Sequence, residues 1–189
     1  MSPRDRKALL DSLGGHAPAD DAEARDLAQI RDFVLRHDDP FDRRIAEGHL
    51  TGSAIVVSAS GEGTLLLHHR KLDRWLQPGG HADPGEATGE AVALREALEE
   101  TGLSGLVLHP SASRPLDVDV HDIPARGEEP AHQHLDLRYL VLAPAGARPS
   151  PALAEMRDLR FFHWDETPAL GLDAGLVRAL AKARAHPAA

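Results

Sequence analysis

The sequence predicts an α/β (α+β) fold, a mixed sheet held between helical layers and preceded by a helical extension. Three observations predict it. Aliphatic and β-branched segments of strand length recur along the chain, a single acidic helix sits among them, and another helix closes the chain. With 189 residues and 42% hydrophobic content the chain can bury a core of its own without covalent staples.

Residues 4–13 and 20–35 read as helices, the second with Leu27, Ile30, Phe33 and Val34 as an apolar stripe. Gly14-Gly15 and Ala17-Pro18-Ala19 separate them, and Asp38-Asp39-Pro40 ends the second, because the residue before proline is pushed out of the α region. The chain is therefore expected to divide into a helical extension over 1–45 and a main domain over 46–189.

Residues 50–58 and 64–69 read as a hairpin turned at Gly61-Glu62-Gly63. Residues 75–77 form a short extended piece stopped by Pro78-Gly79-Gly80. Residues 90–101 form a helix closed by Gly102. Further strands are expected at 106–108, 116–120, 135–142 and 159–164, with a polar loop at 122–130 and a last helix at 173–185.

Composition excludes several functions. The chain has no cysteine, so disulfides, thiolate metal ligands and cysteine nucleophiles are out. A formal net charge of −9 argues against a nucleic-acid partner, since binding a phosphate backbone needs a basic surface. A polyanionic small molecule fits only if cations bring its phosphates in. No stretch has the roughly 20 apolar residues of a membrane span. Met1 to Lys7 lacks the apolar core of a secretory signal. These features lead to the expectation of a cytoplasmic protein with no membrane partner, and they admit a homodimer.

The most informative stretch is Gly79-Gly80-His81-Ala82-Asp83-Pro84-Gly85-Glu86, continued by Arg95-Glu96-Ala97-Leu98-Glu99-Glu100-Thr101-Gly102-Leu103. On a helix Glu96, Glu99 and Glu100 stand at i, i+3 and i+4, so their carboxylates share a face. Ala91, Leu94 and Leu98 are expected on the opposite, sheet-facing side. Like charges crowded in this way destabilise a helix unless a cation joins them, and Mg²⁺ takes carboxylate and phosphate oxygens. The competing reading is a solvated helix face; the glycine turn, the spacing and Arg95 together argue against it.

These residues resemble the Nudix box of the Nudix (MutT-like) hydrolase superfamily: Gly, five residues, Glu, seven residues, Arg-Glu-apolar-any-Glu-Glu-any-Gly-apolar. Gly80 to Glu86 fits the first half and Arg95 to Leu103 the second. Eight residues, 87–94, stand where the family has seven. The resemblance implies a Nudix-type α/β/α sandwich and a metal-dependent hydrolase that cleaves a diphosphate bond in a nucleoside diphosphate derivative or related pyrophosphate. It also implies that Glu96, Glu99, Glu100 and the carbonyl of Gly79 hold Mg²⁺ or Mn²⁺, and that Arg95 orients the box. The general base would be a box glutamate or a later one such as Glu128 or Glu129, which read equally as solvated loop carboxylates. A non-hydrolytic nucleotide-binding or sensor module of the same fold is the alternative, marked by erosion of the three helix glutamates, and none is eroded. The proline that some ADP-ribose subfamilies carry about sixteen residues after the box is absent, with Asp119 in its place.

The chain carries 12 histidines. His132, His134 and Asp136 alternate on one strand and share a face, a candidate metal or substrate wall, although surface histidines explain an isolated His-any-His pair as well. The pattern also resembles the metal site of isopentenyl-diphosphate isomerases, and that resemblance implies a second site for Zn²⁺ or Mn²⁺ at His49, His81, His132 and His134. The isomerase's catalytic cysteine and glutamate would fall at Gly79 and His134, which argues against isomerase chemistry. Arg70 and Lys71 are candidates for phosphate contact or a solvated strand end. Trp75 is a candidate for stacking on a substrate ring or for core packing.

Overall fold

The computed structural model describes residues 1–112, 114–127, 129–150 and 156–186. Its elements run α1 (Pro3–Gly14), α2 (Asp21–Arg36), β1 (Gly48–Val57), β2 (Gly63–His69), β3 (Arg74–Leu76), β4 (Gly79–His81), α3 (Gly89–Thr101), β5 (Val107–Leu108), β6 (Asp117–Ile123), β7 (His132–Leu142), β8 (Met156–His163) and α4 (Ala174–Arg184), with a 3₁₀ turn at Thr167–Leu170 before α4. Glu128, one of the two loop glutamates singled out above, lies outside the described residues.

All eight strands join one mixed sheet. Its main path is β3-β2-β1-β7-β5, with β4 paired to β1, β6 to β7 and β8 to β2. β1 and β7 run parallel through ten residue pairs, from Gly48↔Gln133 to Val57↔Leu142. Every other pairing is antiparallel. Because both faces of β1 are covered, all ten of its residues are buried.

Two apolar clusters fill the space between the layers. On one face Leu50, Ala54, Leu135, Leu137 and Tyr139 pack with Val92, Ala93 and Ala97 of α3 and with Leu13, Leu27, Ile30, Phe33 and Val34 of α1 and α2. On the other, Ile55, Val57, Leu140 and Phe162 pack with Leu176, Ala179, Leu180 and Ala183 of α4. The N-terminal helices thus share the core of the sheet. Asp20 caps α2 and Thr88 caps α3, each accepting a hydrogen bond from an amide three residues on. Gly102 ends α3 at φ 66°, a left-handed conformation suited to glycine. Among the described residues no helix is long and apolar enough to cross a membrane.

Three sequence expectations are corrected. The buried face of α3 is Gly89, Val92, Ala93, Ala97 and Thr101, whereas Ala91 is exposed and Leu98 is 47% exposed. Small side chains let the helix lie close on the sheet, so the larger leucine is turned outward. Gly79-Gly80-His81 is not only a stop but a strand, paired as Thr51↔His81, Gly52↔Gly80 and Ser53↔Gly79. The polar loop at 122–130 is shorter than expected, because β6 continues to Ile123 along β7.

Where α2, β6, β7 and α4 meet, a charged cluster is buried. Glu23 of α2 is fully buried and accepts from Lys182, from His16 Nε2 at 2.7 Å and from the Ala19 amide at 2.6 Å. Asp117, also fully buried, accepts from Arg178 Nε at 2.8 Å and Arg138 Nη1 at 3.2 Å. Pairing is what makes such burial tolerable.

Candidate active site

β4 passes α3 beside Glu96 and Glu100. The Gly79 amide donates to Glu100 Oε2 at 2.9 Å. A Cβ at Gly80 would lie 2.6 Å from Glu96 Oε1, so a side chain there would displace the Glu96 carboxylate. Gly80 thus sets its main chain against the Glu96 carboxylate, whereas a Cβ at Gly79 would meet Ser53 on β1. Glu96 is largely enclosed, its side chain 16% exposed, whereas that of Glu99 is 54% exposed. Burial pushes the Glu96 carboxyl above its ordinary range, against the pull of Arg95 and with the help of the Glu99 and Asp83 charges.

Arg95 ties the cluster together. Its Nη2 donates to the His81 carbonyl at 2.6 Å and to Glu96 Oε1 at 3.1 Å, and its Nη1 to Glu99 Oε2 at 3.1 Å. Glu86 accepts from Arg95 Nε and Nη2 at 3.1 Å and from the Asp83 amide at 2.8 Å. Burial alone would lower the guanidinium pKa, but the hydrogen bond to Glu86 and the charge of Glu96 raise it. The eight-residue spacing therefore leaves Glu86 within reach of Arg95. The oxygens of Glu96, Glu99 and Glu100 are the donor type that Mg²⁺ or Mn²⁺ takes, but with Arg95 bonded to Glu96 and Glu99 and the Gly79 amide bonded to Glu100 they do not all lie within 4.8 Å of one another.

Beside this cluster stands a group of histidines drawn from β1, β4 and β7. The parallel register puts His49 opposite His134, and β4 puts His81 opposite Thr51. The ring of His49 lies 5.0 Å from that of His81, 5.1 Å from that of His132 and 5.0 Å from that of His134. Burial and the neighbouring imidazoles lower His134 to about 2 and His49 to about 4. Burial, with the charge of Arg43, lowers His81 to about 4. These three are neutral at pH 7.

Asp136, which shares their face, is occupied within the sheet. It accepts from Thr51 Oγ1 at 2.9 Å, Ser53 Oγ at 2.8 Å and Arg138 Nε at 3.2 Å. Sequence reasoning missed His121, which stands directly across from His134 on β6 with its Nδ1 3.1 Å from Asp119. Burial would depress its pKa, yet the bond to Asp119 and the charge of Asp136 hold it raised. The alternation of Asp119 and His121 on a strand was the signal that could have found it.

The remaining candidates have contacts of their own. Arg70 sits just past β2 and donates to the Met156 carbonyl at 3.3 Å; Lys71 follows it in the exposed turn. Trp75 packs edge-on against Phe162 and His68, at ring distances of 4.7 and 4.9 Å, so its ring is engaged within the protein. Glu129 stands 4.0 Å from both Arg43 and His132, at the rim of the histidines.

Solved structures share this arrangement of elements. An Ap4A hydrolase from C. elegans in a binary complex is similar at a TM-score of 0.55 and 19% identity, over 70% of this chain and 93% of that one. A NUDIX-family hydrolase from Clostridium perfringens is similar at 0.54 and 24% identity, over 71% and 95%. The NUDIX domain of Shewanella oneidensis NrtR, complexed with ADP ribose, is similar at 0.53 and 17% identity, over 79% and 94%. At these identities the likeness shows the fold. The family profile described as NUDIX domain matches residues 49–182, which take in β1, the glycine turn, the carboxylate helix and most of α4. The chain belongs to the NUDIX domain family.

Proposed function

We propose that this protein hydrolyses a diphosphate bond in a nucleoside diphosphate derivative or a related pyrophosphate, using Mg²⁺ or Mn²⁺ held by Glu96, Glu99, Glu100 and the Gly79 carbonyl. The observation that carries the reading is the approach of β4 to α3, where the absence of a side chain at Gly80 leaves room for the Glu96 carboxylate. A divalent ion bound there would neutralise phosphate oxygens and lower the pKa of an attacking water.

The chain's own residues do the rest. The Gly79 amide aims Glu100, and Arg95 holds Glu86, Glu96 and Glu99 in one arrangement. Arg95 offsets part of their charge, and an ion would share that task. Arg70 and Lys71 remain candidates for the far end of a polyphosphate. The similar structures support the substrate class: one is named for Ap4A, one was solved with ADP ribose, and a third, from E. coli, is named for dihydroneopterin triphosphate. Each of these compounds carries a phosphate chain on a larger organic group.

The test is a panel of nucleotide sugars, dinucleoside polyphosphates, nucleoside triphosphates and prenyl diphosphates, assayed with Mg²⁺ or Mn²⁺. Turnover of at least one member, lost in Glu99→Gln and Glu100→Gln, supports the reading. Tight nucleotide binding without turnover under either ion points instead to a binding module.

A further inference from the structure

We propose that His49, His81, His132 and His134 form a four-nitrogen site for a transition-metal ion of the zinc and cobalt class, separate from the carboxylate cluster. The inference rests on the geometry of three strands and stands whether or not the protein is a hydrolase.

Two of the spacings between imidazole nitrogens match such an ion. Two ligands at tetrahedral angles on an ion with metal–nitrogen bonds of about 2.0–2.1 Å lie about 3.3–3.4 Å apart. His132 Nε2 and His134 Nε2 are 3.4 Å apart, and His81 Nε2 and His134 Nε2 are 3.1 Å apart. The ligand atoms of His49, His132 and His134 all lie within 4.8 Å of one another, and His81 joins this group of three through His134.

Protonation points the same way. His132 Nδ1 is 2.9 Å from the Pro130 carbonyl, which can only accept. That nitrogen therefore carries the proton, and in the neutral ring Nε2 presents its lone pair toward His134. Hydrogen bonding among the rings could account for His81, His132 and His134, but it leaves His49 unexplained. His49 is 2% exposed, and both its ring nitrogens are buried without a hydrogen-bond partner among the described residues. A buried imidazole with nothing to bond is costly, and an ion would satisfy one of those nitrogens.

The donor set also selects the ion. Mg²⁺ demands oxygen ligands, whereas neutral imidazoles suit zinc, cobalt, nickel and copper. Two adjoining sites of different donor chemistry can then load different metals. Because β1, β4 and β7 each contribute, loading would also tie β4 to the parallel pair and raise thermal stability in proportion to occupancy.

The experiment uses the full chain stripped with chelator, titrated with Co²⁺ and followed by visible absorption, then competed with Zn²⁺ and checked by elemental analysis. One equivalent should bind, with a rise in melting temperature, and Glu100→Gln should bind it equally well. His49→Ala and His134→Ala should weaken binding by more than about 100-fold, beyond the 10–100-fold typical of losing an outer partner. Should either variant fail the circular-dichroism check for folding, His132→Gln carries the same expectation. The proposal is overturned if wild type takes up no Co²⁺ or Zn²⁺, if the folded histidine variants bind unchanged, or if Glu100→Gln abolishes uptake.

Discussion

Glu86 and Arg95 are joined across nine residues by hydrogen bonds from Nε and Nη2, each 3.1 Å long. The pairing holds although the intervening segment is one residue longer than the family pattern. Thr88 caps α3 just after Glu86, and the loop ahead of the helix folds Glu86 back over its second turn. Replacing Glu86 with Gln would leave Arg95 short of a charged partner. A loss of about 1.5–3 kcal/mol in stability is expected, the range for hydrogen bonds to charged groups. Urea unfolding of Glu86→Gln against wild type measures it; an unchanged midpoint would mean that the pair carries no load.

The close approach at Gly80 gives a sharper expectation. In Gly80→Ala the added Cβ would meet the Glu96 carboxylate at 2.6 Å, so either the strand or the carboxylate must shift. Moving the end of a side chain is cheap, so the stability cost should stay below the roughly 1–3 kcal/mol of core overpacking. Mg²⁺-dependent turnover should fall at least about tenfold, since a displacement near 1 Å can cost far more in a catalytic site. Melting temperature and initial rate on the best panel substrate report the two effects separately.

Thr88→Ala removes the side chain that accepts from the Ala91 amide at 3.3 Å. The expected cost is about 1 kcal/mol. Gly would restore part of it, and Ser most of it. Thermal melting of the three variants orders them; equal melting points for Ala and Ser would contradict the cap.

Acid stability should depend on Glu23. Burial would raise its carboxyl pKa, but hydrogen bonds from Lys182, the Ala19 amide and His16 bring it down to about 2 from an ordinary 4.5. Between those values the unfolded chain takes up a proton that the folded chain refuses, so this contribution is complete above pH 4.5 and declines toward pH 2. Urea midpoints at pH 7, 4.5 and 3 should show the decline, and Lys182→Met should flatten it. Glu23→Ala, which strands buried cations, is expected to cost about 3–5 kcal/mol at pH 7.

Long-period features were legible in the sequence, while features set by distant pairing were not. The apolar stripe of α2 and the carboxylate helix were readable because each repeats at helical spacing within one segment. β4 escaped because Gly79-Gly80-His81 has no apolar alternation and two glycines that mark a turn. The buried face of α3 was misjudged because hydrophobicity favours Leu98 inside, whereas contact with the sheet favours Ala93 and Ala97. The cluster of Glu23, Asp117, Arg138 and Lys182 joins residues up to 159 positions apart, which no local pattern encodes. The histidines were half legible: alternation placed His132 and His134 on one face, but only the parallel register with β1 brings His49 to them.

The central claim is that Glu96, Glu99 and Glu100 trap a divalent cation beside the glycine turn. Mn²⁺ binding followed by electron paramagnetic resonance tests it most directly, with the histidine site first saturated with Zn²⁺. Wild type should quench the free-ion signal with saturable uptake at micromolar to millimolar Mn²⁺, and Mg²⁺ should compete; a variant carrying Glu96→Gln, Glu99→Gln and Glu100→Gln should leave the signal free. If wild type and the triple variant bind alike, or neither binds at millimolar Mn²⁺, the carboxylates are not the cation's seat.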